Sequence, residues 1–132
     1  MVAEATDVNP ETYPSSARVT FQFPARGEMV PVKFMWYEGK KNGKLVHPQE
    51  ELVQKVLKQA KGKDGNKATL PGSGAIMVGE KGILYSPDDY GAEFQLLPGE
   101  DFAHYNGPEE TVPRRGNQPG GKDDKGKDIN ID

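Results

Sequence analysis

Two neighbouring stretches of strict alternation limit what this chain can fold into. In Ser16–Phe23, Val19, Phe21 and Phe23 fall on one side of an extended backbone and Arg18, Thr20 and Gln22 on the other. Successive side chains of a strand point to opposite faces, so this is the pattern of a half-buried antiparallel strand. Residues 30–37 repeat it, with Val30, Val32, Phe34 and Trp36 together and Lys33, Met35 and Tyr37 pointing away. Pro24-Ala25-Arg26-Gly27-Glu28 turns the chain between them, and the two runs predict a hairpin with a shared aromatic face. That face is the leading core candidate, and Trp36 is assigned to it. Pro31 has no N–H and suits the start of a strand or an edge, so the second strand is not expected to be centrally paired throughout.

A second β-rich region spans residues 70–97. Gly79-Glu80-Lys81-Gly82 separates Ile76-Met77-Val78 from Ile83-Leu84-Tyr85, and glycines at both ends can supply the positive φ angles of a tight hairpin. Ser86-Pro87-Asp88-Asp89-Tyr90-Gly91 is the next turn cluster, with Pro pre-set for a bend and Asp able to bond its own backbone. An extended run resumes from Phe94 to Leu97, so three short strands form a meander. Between the two β regions the period changes to that of a helix. Leu52, Val53, Val56, Leu57 and Ala60 recur on one stripe, Pro48 suits the first turn, and Gln49, Glu50 and Glu51 favour the positive end of the helix dipole. The helix is expected to stop near Lys61-Gly62, before a polar, glycine-rich stretch.

The fold class that follows is α+β: a mainly antiparallel sheet of about five or more strands with one amphipathic helix packed on it. Residues 1–14 read as a lead-in segment, 15–105 as the domain, and 106–132, rich in Gly, Pro, Asn, Lys and Asp, as a flexible tail whose mixed charges are solvated. At 132 residues the chain fits one domain. A net charge of −3 without a basic patch argues against nucleic acid as an obligate partner. The absence of cysteine excludes disulfides, thiol catalysis and cysteine-ligated zinc without separating cytoplasm from an exported compartment. No apolar run approaches the roughly 20 residues that span a bilayer, and a soluble chain is expected.

Gly72-Ser73-Gly74 lacks the third glycine of a dinucleotide loop, because Met77 stands there, and Glu80 stands where a phosphate-loop lysine is required. His47, directly before Pro48, reads as the lead into the helix rather than as a base, and His104 as exposed. Asp88 and Asp89 read as turn residues rather than cation ligands. No catalytic, cofactor-binding or metal residue is assigned on this chain. The aromatic residues with polar tips are more informative. For Tyr37, Tyr85 and Tyr90, ordinary packing and a surface that meets a partner domain, a subunit or a polyol stand as equal readings. Met35, Tyr37 and Leu97 would leave the second face of the sheet partly apolar.

Val8-Asn9-Pro10-Glu11-Thr12-Tyr13-Pro14, Phe23-Pro24-Ala25-Arg26-Gly27, Trp36-Tyr37-Glu38-Gly39, Leu70-Pro71-Gly72-Ser73-Gly74 and Val78-Gly79-Glu80-Lys81-Gly82 with residues 86–91 occur in this order. Together they resemble the C-terminal domain of bacterial Gfo/Idh/MocA oxidoreductases, over residues 8–114. The resemblance implies an α+β domain beside a separate N-terminal Rossmann domain of the same parent chain. It implies NAD or NADP on that other domain, a sugar or polyol as substrate, and homo-oligomers joined through the open sheet. The family's glycine-rich fingerprint, its Glu-Lys-Pro motif and its later Asp and His positions do not occur in this sequence. Glu80-Lys81-Gly82 lies in a hairpin with glycine in place of proline, so no catalytic residue carries over. The family continues past Pro113-Arg114 with a tryptophan-containing helix, where this chain has its Gly, Lys and Asp tail. The function implied is the substrate-binding and oligomerisation domain of an NAD(P)-dependent oxidoreductase, inactive alone. A stand-alone carbohydrate-binding or protein-interaction module and a purely structural dimerisation domain are the alternatives.

Overall fold

The computed structural model describes residues 1–62 and 65–109, so the expected tail lies outside the described residues from position 110 onward. The order of elements is β1 (Val2–Thr6), β2 (Ser16–Phe23), β3 (Val32–Lys41), β4 (Lys44–Leu45), α1 (Glu50–Gln59), β5 (Ala75–Val78), β6 (Ile83–Ser86) and β7 (Gln95–Leu97), followed by a 3-10 turn at Gly99–Phe102. The α+β class holds, with seven strands, all antiparallel, and one α-helix among the described residues. They form two sheets rather than one, ordered β1-β2-β3-β4 and β5-β6-β7.

The alternating hairpin forms with its shared aromatic face, pairing Val19 with Trp36, Phe21 with Phe34 and Phe23 with Val32. Its turn closes through reciprocal backbone bonds between Arg26 and Met29 (3.1 and 2.9 Å), with Gly27 at φ +57°. Pro31 lies just outside β3, at the strand boundary that its missing N–H favours. Residues 1–14 were expected as a lead-in, yet Val2–Thr6 pairs along β2 with Ala3 opposite Val19 and Ala5 opposite Ala17. Alanine is depleted in strands, so the local pattern of Val-Ala-Glu-Ala-Thr is weak and the neighbouring strand supplies the stabilisation. The connection back to β2 is held by Asn9, whose Oδ1 accepts from the Glu11 and Thr12 N–H groups (2.9 and 3.0 Å), and by the Thr6 and Ser16 hydroxyls at 2.7 Å. Glu4 and Arg18 form a cross-strand ion pair on the polar face.

Helix α1 starts two residues after Pro48, carries Glu50 and Glu51 in its first turn and Lys58 in its last, and buries Val53 and Val56. It ends at Gln59 because Ala60 adopts an extended conformation (ψ 147°) and the backbone of Lys61 is captured. Lys61 N–H donates to Gln95 Oε1 (2.8 Å) and Gln95 Nε2 donates to the Lys61 carbonyl (2.7 Å), which ties the helix end to β7. The core gathers there: Val56, Ala60, Ala68, Ile83, Tyr85 and Leu97 form one buried cluster, with Leu52, Leu57 and Ile76 packed against it. None of these residues comes from β1–β4. The aromatic face expected to be the core is therefore not the core, and Leu97, expected on the second face of a single sheet, is 2% exposed inside the second sheet's cluster.

The β5–β6 hairpin forms as predicted, with Val78 opposite Ile83 and Gly79 N–H donating to the Gly82 carbonyl (2.9 Å). Its glycines serve a different purpose from the one expected. Neither takes a positive φ. A Cβ on Gly82 would instead lie 2.7 Å from the Leu97 carbonyl oxygen and 2.7 Å from the Phe102 ring, so close packing requires glycine there.

Candidate functional site: an open aromatic sheet face

Strand alternation places Val19, Phe21 and Phe23 of β2 and Val32, Phe34 and Trp36 of β3 on one face of the first sheet. Ala3, Ala5 and Ala17 extend it as a low floor toward β1. The rings organise one another: Phe21 lies 5.6 Å from Phe34 at 35° and 6.3 Å from Phe23 at 13°, within the distances of favourable aromatic pairs. Trp36 Nε1 donates to Glu38 Oε2 (3.1 Å), which holds the indole at the rim. Nothing among the described residues covers this face. Phe23 is 51%, Val32 53%, Phe34 45% and Trp36 52% exposed. Side chains that bury roughly 150–250 Å² each when enclosed leave roughly 300–400 Å² of contiguous apolar surface here, the size of the largest patch on a typical monomer, which is often functional.

The three tyrosines singled out in the sequence have different settings. Tyr37 is half-buried on the opposite face of β3, its hydroxyl donating to Met35 Sδ (3.5 Å). Tyr85 is 3% exposed inside the core cluster, and burial pushes its phenol above the ordinary value. Of its two readings packing holds, because the alternation of β6 turns it toward α1, and it has no surface to present. Tyr90 is 92% exposed.

Tyr90 sits on a loop built around one carboxylate. Asp88 Oδ2 accepts from the Glu93 N–H (2.8 Å), and its Oδ1 accepts from the Tyr90 and Ala92 N–H groups (2.8 and 3.1 Å). The buried Ser86 hydroxyl donates to the Glu93 carbonyl (2.9 Å). Donation from the Glu93 N–H above all, with the Ala92, Tyr90 and Gly91 N–H groups, holds the Asp88 carboxyl below its usual range against an opposing desolvation. Asp88 is thus a turn-former, and Gly91 takes φ +69° beside it. Because the folded value is depressed, the loop's stabilisation is present above the unfolded carboxylate pKa of about 3.9 and is lost as pH falls through the lower, folded value. Asp88→Asn, with only one acceptor atom, is expected to release the loop at neutral pH. In ¹H–¹⁵N spectra the Tyr90, Ala92 and Glu93 amides should move toward random-coil positions in the variant, and in the parent only below about pH 4. Unchanged amide shifts in the variant would show that the loop holds without the carboxylate.

The remaining polar residues do not converge. His47 Nδ1 lies 2.6 Å from the Pro48 carbonyl oxygen and Nε2 3.6 Å from Glu50 Oε2, at the start of α1, and His104 is exposed. Among the described residues no three His, Cys, Asp or Glu side chains are grouped to hold a metal, and no helix is long and apolar enough to cross a membrane. A shallow, open depression over the β5–β6 turn is lined by Met77, Glu80, Lys81, Leu84, Leu96 and Phe102. Gly72-Ser73-Gly74 leads into strand β5, with Gly74 at φ +154° against the Ser86 carbonyl. A dinucleotide loop requires a helix at that position, so Gly72-Ser73-Gly74 is not such a loop. The chain matches no family model, no curated protein and no solved structure.

Proposed function

We propose that this chain is the substrate-side and oligomerisation domain of an NAD(P)-dependent oxidoreductase acting on a sugar or polyol, inactive without a separate nucleotide-binding domain. The observation that carries this reading is the uncovered aromatic face: a sheet with its apolar side outward is a surface to be completed by another domain or subunit. The ordered strings that resemble Gfo/Idh/MocA C-terminal domains supply the chemistry of the partner, a Rossmann domain that holds the cofactor. No catalytic step is assigned to residues of this chain. Tyr90 and Tyr37 remain candidates for contact with substrate hydroxyls or a sister subunit.

The purified chain, supplied with NAD(H) or NADP(H) and a panel of sugars and polyols, is expected to leave the reduced-nicotinamide absorbance unchanged. Sustained turnover would sink the proposal. The native polypeptide, detected with an antibody against this domain, should be several times longer than these 132 residues. A second reading, a free-standing carbohydrate-binding module, draws on one feature: Trp36 is half exposed with an acidic acceptor on its indole nitrogen, and aromatic platforms of this kind stack on sugar rings. Trp36 is the only tryptophan. A saturable sugar-dependent change in its fluorescence, together with a native polypeptide near the length of this chain, would favour that module over the oxidoreductase domain.

A further inference from the structure

The first sheet has a second unfinished feature beside its open face. Strand β4 pairs with β3 only at Lys40 and Lys41, Val46 N–H adds one bond to the Gly39 carbonyl (3.0 Å), and the chain then leaves for α1. Along the rest of that edge, from Val32 to Glu38, no described residue pairs with β3 on the side away from β2. A strand seven residues long therefore presents its backbone N–H and C=O groups in a row beside exposed Val32, Phe34 and Trp36. Sheet proteins usually protect such an edge with charge, proline or a bulge. Here Lys33 and Glu38 are the only charged side chains along it, and Pro31 stands just outside.

We propose that this edge binds a second copy of the chain, β3 against β3 in antiparallel two-fold symmetry about Met35. The inference deepens the reading that the sheet meets a sister subunit, and rests on it. Three observations point to this occupant and register. The free edge is bounded by Pro31 at one end and by the Lys40–Leu45 pair at the other, and Met35 is its midpoint. Centring the symmetry there uses the whole free edge and leaves each copy's β4 in line beyond the other's Pro31. Centring it on Trp36 would drive β4 of one copy into the other's Val32. In the Met35 register Phe34 faces Trp36 of the second copy, Lys33 faces Tyr37 and Val32 faces Glu38, which gives two aromatic cross-strand pairs and opposes no like charges.

Pairing along the edge buries the backbone of residues 32–38 and only the flanks of Val32, Phe34, Trp36 and Tyr37 in each copy, less than the roughly 1,000 Å² of a stable specific interface. The dimer is therefore dissociable, and the two open faces join into one continuous aromatic surface. A two-fold interface is self-complementary in this way, and adding a strand to an open edge is a common mode of recognition.

The absence of cysteine in the chain makes the test specific. In the proposed register the two Met35 Cα atoms lie about 4.5–5.5 Å apart, within the span of a disulfide. The two Lys33 Cα atoms lie four residues out of register, roughly 14 Å apart, beyond it. Under mild oxidation the 132-residue chain carrying Met35→Cys is expected to become a covalent dimer at least tenfold faster than the chain carrying Lys33→Cys. Sedimentation of the unmodified chain should show a reversible, concentration-dependent dimer. A chain that remains monomeric at every concentration overturns the proposal and with it the sister-subunit reading. A chain that dimerises while Met35→Cys crosslinks no faster than Lys33→Cys overturns the edge register alone and leaves association through the open face.

Discussion

Replacing Leu97 with alanine is expected to cost about 3 kcal/mol, within the roughly 2–5 kcal/mol range of buried leucine truncations. Leu97 is 2% exposed, sits opposite Ile83 in the β6–β7 pair, and shares its cluster with Val56, Ala60, Ala68 and Tyr85. The cluster is small and its neighbours are held by two strands and a helix, so the cavity cannot close by a small shift. Domains of this size have about 5–15 kcal/mol in total, and each kcal/mol is worth about 4–8 °C of Tm. The variant should therefore melt more than about 12 °C below the parent, and urea unfolding should report the same loss. Phe34→Ala is the matching control. It removes a larger side chain, but one already 45% exposed, and should cost less than about 1 kcal/mol in the isolated chain. Equal losses for the two variants would mean that the aromatic face is part of the folding core after all.

Gly39→Ala is expected to be nearly as damaging for a different reason. Gly39 takes φ +77°, and a Cβ there would lie 2.1 Å from the Ser15 carbonyl oxygen and 2.9 Å from Ser16 Cα. The Ser15 carbonyl also accepts the Lys40 N–H (2.9 Å), while Ser15 N–H donates to the Thr6 carbonyl (3.2 Å). Relieving the clash would displace backbone shared by β1, β2 and β3. The left-handed conformation costs about 1–2 kcal/mol, and the displaced pairing should bring the loss to about 3 kcal/mol. Gly43, in the β3–β4 turn with the same φ of +77° and nothing within 4 Å of a Cβ, isolates the conformational part. Gly43→Ala should lose only about 1–2 kcal/mol. Thermal unfolding of both variants checks the difference, and similar shifts would remove the steric argument.

The elements that were legible in the sequence are those whose signal is local. Alternation over Ser16–Phe23 and 30–37 located β2 and β3 and the face they share, and the stripe of Leu52, Val53, Val56, Leu57 and Ala60 located α1. The glycine and proline punctuation of residues 70–97 located the meander. Strand β1 was missed because alanines at positions 3 and 5 carry little strand preference, and only pairing with β2 makes them extended. The aromatic face was legible as a face but was read as core. Alternation states which residues share a side of a strand, and says nothing about whether another layer covers that side. The same limit applied to the tyrosines: their residue type suited packing and contact equally, and burial alone separated Tyr85 from Tyr90. The Asp88 loop was legible as a turn, whereas the convergence of three backbone donors on one carboxylate depends on the loop's closed path.

By itself, then, the sequence determined the antiparallel strands and the amphipathic helix, because hydrophobic period and turn residues are properties of neighbouring positions along the chain. The tertiary structure alone decided that the strands divide into two sheets, that the helix covers the second and leaves the first open, and that β3 keeps a free edge. Those outcomes depend on which apolar surfaces meet across long separations in the chain. The helix stripe packs on Ile83, Tyr85 and Leu97, Gln95 locks the helix end to β7, and Phe34 and Trp36 are left facing outward.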